Sequence, residues 1–281
     1  MTNPFMMPPT GFGPGSQPLD QEDQKLEYMP LPQDMRTYSP RIPEVEALAS
    51  ADLSPALALL RQIADAARQV SEEGGSVCFD LASLAPDNRG LVAETLGSGE
   101  VSAKVRMIPA VAVQESVFAG IWTLQSAQDH IIEVAGAPTC LTTDAFRRTR
   151  TALGADALKA PGVANAPSIL VELQDKSRAF DPTALLHVVS LSLLPHTEED
   201  LVALDKALGE GAVTILSRGY GNCRITATAL PHVWRVQFFN SQDNLILDTF
   251  EVTDLPEVAS AAPEDLADSA KRLTEVIGAI A

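Results

Sequence analysis

The chain has 281 residues, enough for one large domain or two ordinary ones. Its formal net charge of −17 argues against a nucleic-acid partner and against an anionic membrane surface, because like charges repel. No apolar run reaches the roughly 20 residues that span a bilayer, and the N-terminus lacks a signal-peptide pattern. The three cysteines include no close pair, which favours reduced thiols. We therefore expect a cytoplasmic protein without membrane insertion.

Proline dominates residues 1–50, which hold nine of the twenty prolines. A segment of this composition buries too little apolar surface to offset the entropy cost of ordering it. We predict a flexible leader. The patch at 28–32, Tyr-Met-Pro-Leu-Pro, leaves a second possibility open, in which it docks on a partner or on the domain as an extended strand.

Residues 51–160 are predicted to form a first α+β unit. Ser54 is the expected N-cap of an opening helix, with Pro55 at its first position and glycines 74 and 75 at its end. Alternation of apolar and polar residues then predicts strands. The remaining predicted elements are a buried strand, a short helix, four strands and a closing helix: 77–81, Pro86–Leu96, Val101–Val105, Val111–Val113, Ile121–Leu124, Ile131–Val134, and a helix carrying Phe146 and Leu153.

Residues 161–281 repeat this order of elements and are predicted to form a second α+β unit. Its elements are a helix at Ser168–Ala179, a strand with Val189 and Leu191, a four-stranded meander over 213–252 and a final helix with Leu266 and Ile277. Anchors recur 112 residues apart: Pro55 and Pro167, Val77 and Val189, Phe79 and Leu191, Leu96–Val101 and Leu208–Val213, and Trp122 and Trp234. The offset grows to 118 for Glu133 and Glu251, so the last hairpin of the second unit is longer.

The predicted fold class is α+β, an internally duplicated module with the order α-β-α-β-β-β-β-α. Short connections favour mostly antiparallel sheets with helices packed on one face. A lone module would expose its edge strands. We therefore expect the two modules to form a pseudo-twofold pair.

No catalytic or metal-binding constellation is recognisable in the sequence. The histidines and cysteines lack spacings such as Cys-x-x-Cys or His-x-x-x-His. The glycine pairs at 97–99 and 209–211 each follow a helix, the reverse of a dinucleotide-binding loop, and are better explained as helix C-caps. Cys223 is expected to pack as a small buried side chain, although a redox role stays open. We expect no enzymatic activity, no metal and no cofactor.

Polar side chains concentrate around a predicted hairpin at 217–224, and the first unit lacks its Gly-Tyr-Gly-Asn turn. One interpretation is a tight turn that needs glycine and asparagine for its backbone. The other is recognition of an acidic or carbonyl-rich strand. Under the second interpretation the partner-binding residues are Arg218, Tyr220, Asn222, Arg224, Arg235 and Asn240.

The run at 217–224, Ser-Arg-Gly-Tyr-Gly-Asn-Cys-Arg, and the longer stretch at about 165–275 resemble the HupH/HyaF-type hydrogenase expression/formation proteins. Segments 28–30 (Tyr-Met-Pro) and 35–38 (Met-Arg-Thr-Tyr) resemble the leader of that family. The resemblance implies an accessory protein of [NiFe]-hydrogenase maturation. It implies a chaperone-like factor for the iron–sulfur small subunit before export, acting beside a thioredoxin-like accessory protein. It supplies no catalytic residues.

An alternative from another functional class is a redox or metal-handling factor. Such a protein would use Cys78, Cys140 and Cys223 to deliver iron or to protect an iron–sulfur cluster. The two functions differ in what they require of the thiols, so the environment of each cysteine separates them.

Overall fold

A computed structural model describes residues 52–218 and 221–280, and the predicted leader at 1–50 lies outside the described residues. The helices are α1 (Ser54–Glu73), α2 (Pro86–Leu96), α3 (Cys140–Thr143), α4 (Ala166–Arg178), α5 (Glu198–Leu208) and α6 (Pro263–Ile280), with 3₁₀ helices at Gly154–Lys159 and Glu257–Ala259. The strands are β1 (Ser76–Asp80), β2 (Val101–Val105), β3 (Val111–Glu115), β4 (Ile121–Gln125), β5 (His130–Ala135), β6 (His187–Ser190), β7 (Val213–Ser217), β8 (Asn222–Ala227), β9 (Val233–Phe239) and β10 (Leu245–Val252).

Within these residues, ten strands form one antiparallel sheet in the order β1-β5-β4-β3-β2-β7-β8-β9-β10-β6. The two halves of the chain therefore share a continuous sheet, joined where β2 pairs with β7. Moving outward from this joint, each half places its strands in the same succession. The α+β class and the predicted meander over 213–252 are confirmed.

The central β2–β7 ladder has a register that is the same from either strand. Ala103 pairs with Ile215, which lies 112 residues later, at the middle of the ladder. Just beyond the ladder, the Arg106 N–H donates to the Ala212 carbonyl at 2.8 Å, and the Arg218 N–H donates to the Glu100 carbonyl at 3.2 Å. These two bonds also join positions that are 112 residues apart.

The two tryptophans occupy matching places in β4 and β9. Trp122 pairs with Glu133 and Trp234 pairs with Glu251 across the neighbouring strands. Each indole Nε1–H donates to a backbone carbonyl at the end of the next strand, that of Ala135 at 2.9 Å and that of Thr253 at 3.1 Å. Both rings are buried, and these bonds satisfy the only polar group of each ring.

Alternation along the strands assigns the core residues to the two faces of the sheet. Ile121 and Val233 point to the face covered by helices, with α1, α2 and α6 over the first half and α4 and α5 over the second. Trp122 and Trp234 point to the opposite face. There the core is closed by α3, by the segment that follows it and by the 3₁₀ helix Glu257–Ala259. The longer helices thus cover one face, as predicted, and shorter segments cover the other.

Each half of the chain covers the other with its last helical segment. Helix α6 packs on α1, so Leu273 and Ile277 belong to the core of the first half. The 3₁₀ helix Gly154–Lys159 packs against α5 and contributes Ala157 and Leu158 to the core of the second half. The division of the chain into units at 51–160 and 161–281 stays a prediction. Neither sequence range contains all of the residues that bury its own core.

Three local predictions differ from the structure. Ser54 is not the N-cap of α1, because that position is Leu53 and no side chain caps the helix. The strand predicted as buried at 77–81 is β1, an edge strand whose residues are exposed or half-buried. The helix predicted to carry Phe146 and Leu153 does not form. Phe146 is held instead against Trp234, at 5.3 Å between ring centroids, so a tertiary contact decides its environment.

The predicted alignment of β1 with β6 is also wrong by two residues. Phe79 pairs with Ile132, and Val189 pairs with Phe250, the residue 118 positions after Ile132. Phe79 therefore matches Val189 rather than Leu191. Apolar alternation has period two, so a shift of two residues leaves the pattern unchanged and the sequence cannot detect it.

A polar residue in a matching position holds the N-terminus of the first helix in each half. In the first half the Asn88 side-chain oxygen accepts the Ala56 N–H at 2.8 Å. In the second half Asp200 accepts the backbone N–H groups of residues 164, 165, 166 and 197 at 2.8–3.0 Å. Burial disfavours the Asp200 carboxylate, but these hydrogen bonds outweigh that effect and lower its pKa.

Replacing Asp200 with Asn should lower the free energy of unfolding at pH 7 by about 0.5–2 kcal/mol, because a neutral oxygen accepts these N–H groups more weakly. The lowered pKa means that the carboxylate stabilises the fold above its unfolded pKa and loses this effect as the pH falls. Asp200→Asn should therefore flatten the acid limb of the stability profile. Urea unfolding between pH 7 and pH 3 measures both effects, and an unchanged acid limb would contradict the assignment.

Gly211 should not tolerate a side chain. A Cβ there would overlap the Ala145 carbonyl oxygen and lie within 2.7 Å of that of Thr228, and neither backbone atom can move freely. Gly211→Ala should lower the free energy of unfolding by about 1–3 kcal/mol. The matched control is Gly278→Ala in α6, where a Cβ meets no atom within 4 Å. Chemical denaturation of both variants checks the difference, which would be absent if strand packing at Gly211 were loose.

Candidate functional site

An open cleft of about 670 Å³ lies at the β7–β8 hairpin and contains three of the predicted partner-binding residues. Arg218, Asn222 and Arg224 line it together with Leu216 and Phe239. Leu216 pairs with Arg224 in the β7–β8 ladder, so both side chains lie on the helix-covered face of the sheet. Tyr220, the fourth predicted residue of the hairpin, lies outside the described residues.

The two arginines of this cleft differ from most of their neighbours in lacking an acidic partner. Within residues 52–218 and 221–280, no carboxylate lies within 4.0 Å of the Arg218 or Arg224 guanidinium. The Arg224 guanidinium lies over the Phe239 ring, 5.6 Å from its centroid, a cation–π geometry that supports its orientation. Asn222 is fixed by donating from its Nδ2 to the Asp243 carboxylate at 3.0 Å.

Arg235 lies in an adjoining cleft of about 350 Å³, which Arg224 also lines. Its guanidinium donates from Nε and Nη2 to the two carboxylate oxygens of Asp248, at 2.9 and 2.6 Å. Burial opposes the charged form of Arg235, but the bond to Asp248 outweighs it and raises the arginine pKa. Arg235 is therefore a partner in a buried bidentate ion pair, and that pair holds β9 to β10.

Asn240 shapes the turn between β9 and β10. Its side-chain oxygen accepts the backbone N–H groups of Gln242 at 2.9 Å and of Asn244 at 3.0 Å. Asp243 follows with a φ of 58°, a backbone conformation that Asp and Asn adopt more readily than most residues. The contacts of Asn240 are thus internal to the turn, which lies beside the cleft because Asp243 bonds to Asn222.

Two arginines that the sequence analysis did not select, Arg106 and Arg150, line the smaller cleft. Arg106 Nη2 lies 2.6 Å from the Glu210 carboxylate, and Arg150 Nη2 lies 2.9 Å from Asp205. The 112-residue offset links Arg106 to Arg218, so the repeat itself contained a signal for the first of them. In the same cleft the buried Thr214 Oγ1 has no hydrogen-bond partner among the described residues.

Exposed apolar side chains lie next to the larger cleft, along the β10–β6 edge of the sheet. They are Leu185 and Leu193, which are 98% and 84% exposed, together with Leu186, Val188, Leu194, Leu245, Ile246 and Leu247. Residues 245–247 follow the turn that bonds to the hairpin. The sequence contains a signal for this surface, since residues 182–197 include no Asp, Glu, Lys or Arg. In a monomer, clustered exposure of this kind marks an interaction surface.

The family model described as the HupH hydrogenase expression protein, C-terminal conserved region, matches residues 53–144 and 163–280. A hydrogenase expression/formation protein HupH from Rhodobacter capsulatus is 57% identical over 280 residues, and the alignment covers 100% of each chain. The hydrogenase expression/formation protein HoxQ from Cupriavidus necator is 47% identical, with 98% of each chain covered.

The chain belongs to the HupH family. A solved structure of the hydrogenase expression protein HupH from Thiobacillus denitrificans matches with 28% identity and a TM-score of 0.39. That match covers 41% of this chain and 96% of the other. The match of the family model to both halves of this HupH-family chain includes the hairpin and the larger cleft.

The three cysteines of this HupH-family protein lie in different environments. Cys78 is exposed on β1, Cys140 is half-buried and Cys223 is buried on the Trp face of the sheet. Desolvation, reinforced by the Glu251 carboxylate, raises the Cys223 pKa to about 11. Desolvation and the carboxylates of Glu133 and Asp144 raise the Cys140 pKa to about 12. In the described residues, no three His, Cys, Asp or Glu side chains are grouped so that they could hold a metal ion.

Thiol alkylation should follow exposure. In native protein at pH 8, iodoacetamide should modify Cys78 first, and Cys223 should react only after unfolding, because a raised pKa and burial both remove reactive thiolate. Mass spectrometry of a labelling time course measures the order, with urea-unfolded protein as the control. Modification of Cys223 as fast as Cys78 would contradict it and would favour the redox alternative.

The described residues also include no helix that is long and apolar enough to cross a membrane.

Proposed function

We propose that this protein is an accessory factor of [NiFe]-hydrogenase maturation that holds the iron–sulfur small subunit before assembly and export. It acts by binding and not by catalysis. Support comes from its membership of a family described as hydrogenase expression proteins and from relatives with that name across the whole chain. The proposal places the protein in the cytoplasm, beside a thioredoxin-like accessory protein, because the client is held before export.

The observation that carries the proposal is the surface at one end of the second half-sheet. There Arg218 and Arg224 have no acidic partner among the described residues, and the exposed segment 245–247 adjoins them. A surface that combines free guanidinium groups with uncovered apolar side chains fits an extended polypeptide. β6 adds an unpaired sheet edge flanked by Leu185 and Leu193. Such an edge would aggregate unless a client covers it.

The hairpin contributes Arg218, Tyr220, Asn222 and Arg224 to this binding surface. Arg224 and Arg218 supply charge, while Asn222 is held in place by Asp243. Arg235 and Asn240, also predicted as partner-binding residues, support the surface from below through the Asp248 pair and the β9–β10 turn. Arg235 and Asn240 therefore position the surface, and the contact with the client falls to the hairpin.

We further propose that the two halves arose by duplication and are arranged as a pseudo-twofold pair. The supports are the matching register of β2 and β7, the matching indole bonds of Trp122 and Trp234, and the family model that matches both halves. Under this proposal the first half retained the fold and the second acquired the binding surface, because the first half has no counterpart to the Gly-Tyr-Gly-Asn turn.

Co-purification from cells that make the hydrogenase tests the function. Tagged wild-type protein should capture the small subunit, and Arg218→Glu combined with Tyr220→Ala should reduce capture about tenfold or more, since two contacts are lost and one charge is reversed. Quantitative immunoblotting of the small subunit against the tagged protein measures the ratio.

The matched control is Arg61→Glu, which makes the same charge change at an exposed position of α1. It should capture the client as the wild type does, and both variants should have unchanged thermal unfolding. Equal capture by the hairpin variant and the wild type would reject the hairpin assignment, and failure of the wild type to capture the small subunit would reject the proposed function.

A further inference from the structure

We infer that the larger cleft, lined by Arg218, Arg224 and Phe239, binds the carboxylate of an acidic side chain in an extended polypeptide. The inference rests on the proposed function, since it names the chemistry of the client segment. Both guanidinium groups line the same open cleft of about 670 Å³. Planar guanidinium groups match carboxylates in a bidentate geometry, which gives specificity for this anion.

The matching position in the first half explains why Arg218 is free. Arg106 makes the same backbone bond as Arg218, but its guanidinium is neutralised by Glu210 at 2.6 Å. The residue 112 positions before Glu210 is Ser98, which carries no carboxylate. The side chain that would neutralise Arg218 is therefore missing from the sequence, while the backbone arrangement that would place it is present.

The charges around the cleft favour one additional carboxylate. Among the described residues that line it, Asp243 is the acidic one, and it is engaged by Asn222 at 3.0 Å. Two guanidinium groups against one carboxylate leave a local positive charge on a protein whose net charge is −17. The surrounding negative field keeps most anions away, so an anion is retained here only through direct contact with both arginines.

The surroundings favour a polypeptide over a small ion. The exposed side chains at 245–247 lie on β10, two strands from Arg224 on β8. Two strand spacings amount to about 10 Å, the length of about three residues of extended chain. A client segment with an acidic residue followed about three positions later by apolar residues would therefore contact both parts of the surface.

Fluorescence anisotropy of purified full-length protein tests this inference with two labelled peptides. One contains Glu-Glu, two glycines and Leu-Val-Leu, and its twin replaces both Glu with Gln. The wild type should bind the Glu peptide about tenfold more tightly than the Gln peptide, and added salt should weaken this preference. Ser98→Glu should remove the preference by pairing with Arg218, whereas Ser98→Gln, of nearly equal size, should retain it.

Equal affinity of the wild type for the two peptides would overturn the inference, as would an undiminished preference in both Ser98→Glu and Arg224→Gln. Displacement of the Glu peptide by an equal concentration of inorganic phosphate would also overturn it, because the cleft would then be a small-anion site. These results separate from the co-purification test. Loss of the peptide preference with client capture intact would reject carboxylate recognition alone, and the reverse would reject the proposed function alone.

Discussion

The antiparallel pairing of β2 with β7 is the contact on which the rest of the structure depends. It converts two five-stranded half-sheets into one sheet and satisfies the backbone of two strands that would otherwise be open edges. Because its register is the same from either strand, it places the glycine turn of one half beside the first residue after the central strand of the other. Arg106 meets Glu210 in this way, and Arg218 lies beside the turn that contains Ser98.

The exchange of terminal helices reinforces this joint. Helix α6 completes the core over α1, and the 3₁₀ helix Gly154–Lys159 completes the core over α5. Each half therefore depends on the other both at the sheet centre and at its outer layer. A rigid platform of this kind suits a binding protein, because a surface on fixed strands loses little conformational entropy when a client binds.

The two halves share backbone contacts but differ in the side chains that face solvent. Arg224 stands where the first half has Ala112, and Glu210 stands where it has Ser98. The β9–β10 hairpin is also longer than β4–β5, and its extra residues include the turn at Asn240 and the exposed segment 245–247. The candidate site thus arises from a small number of changes on a common framework, all of them on one half.

Most of the secondary structure and the matching of the tryptophans could be predicted from the sequence, because apolar period and glycine or proline punctuation are local properties. The residues of the β7–β8 hairpin were predicted as a candidate site for the same reason. The partners of Arg106, Arg218 and Arg235 could not be, since Glu210 and Asp248 are brought to them by strand register and packing. Phe146 lacked its predicted helix because a contact with Trp234 outweighed local preference. By itself the sequence determined the elements and their repetition. Only the tertiary structure decided which charges are neutralised, because ion pairing depends on distances between strands that are far apart in the chain.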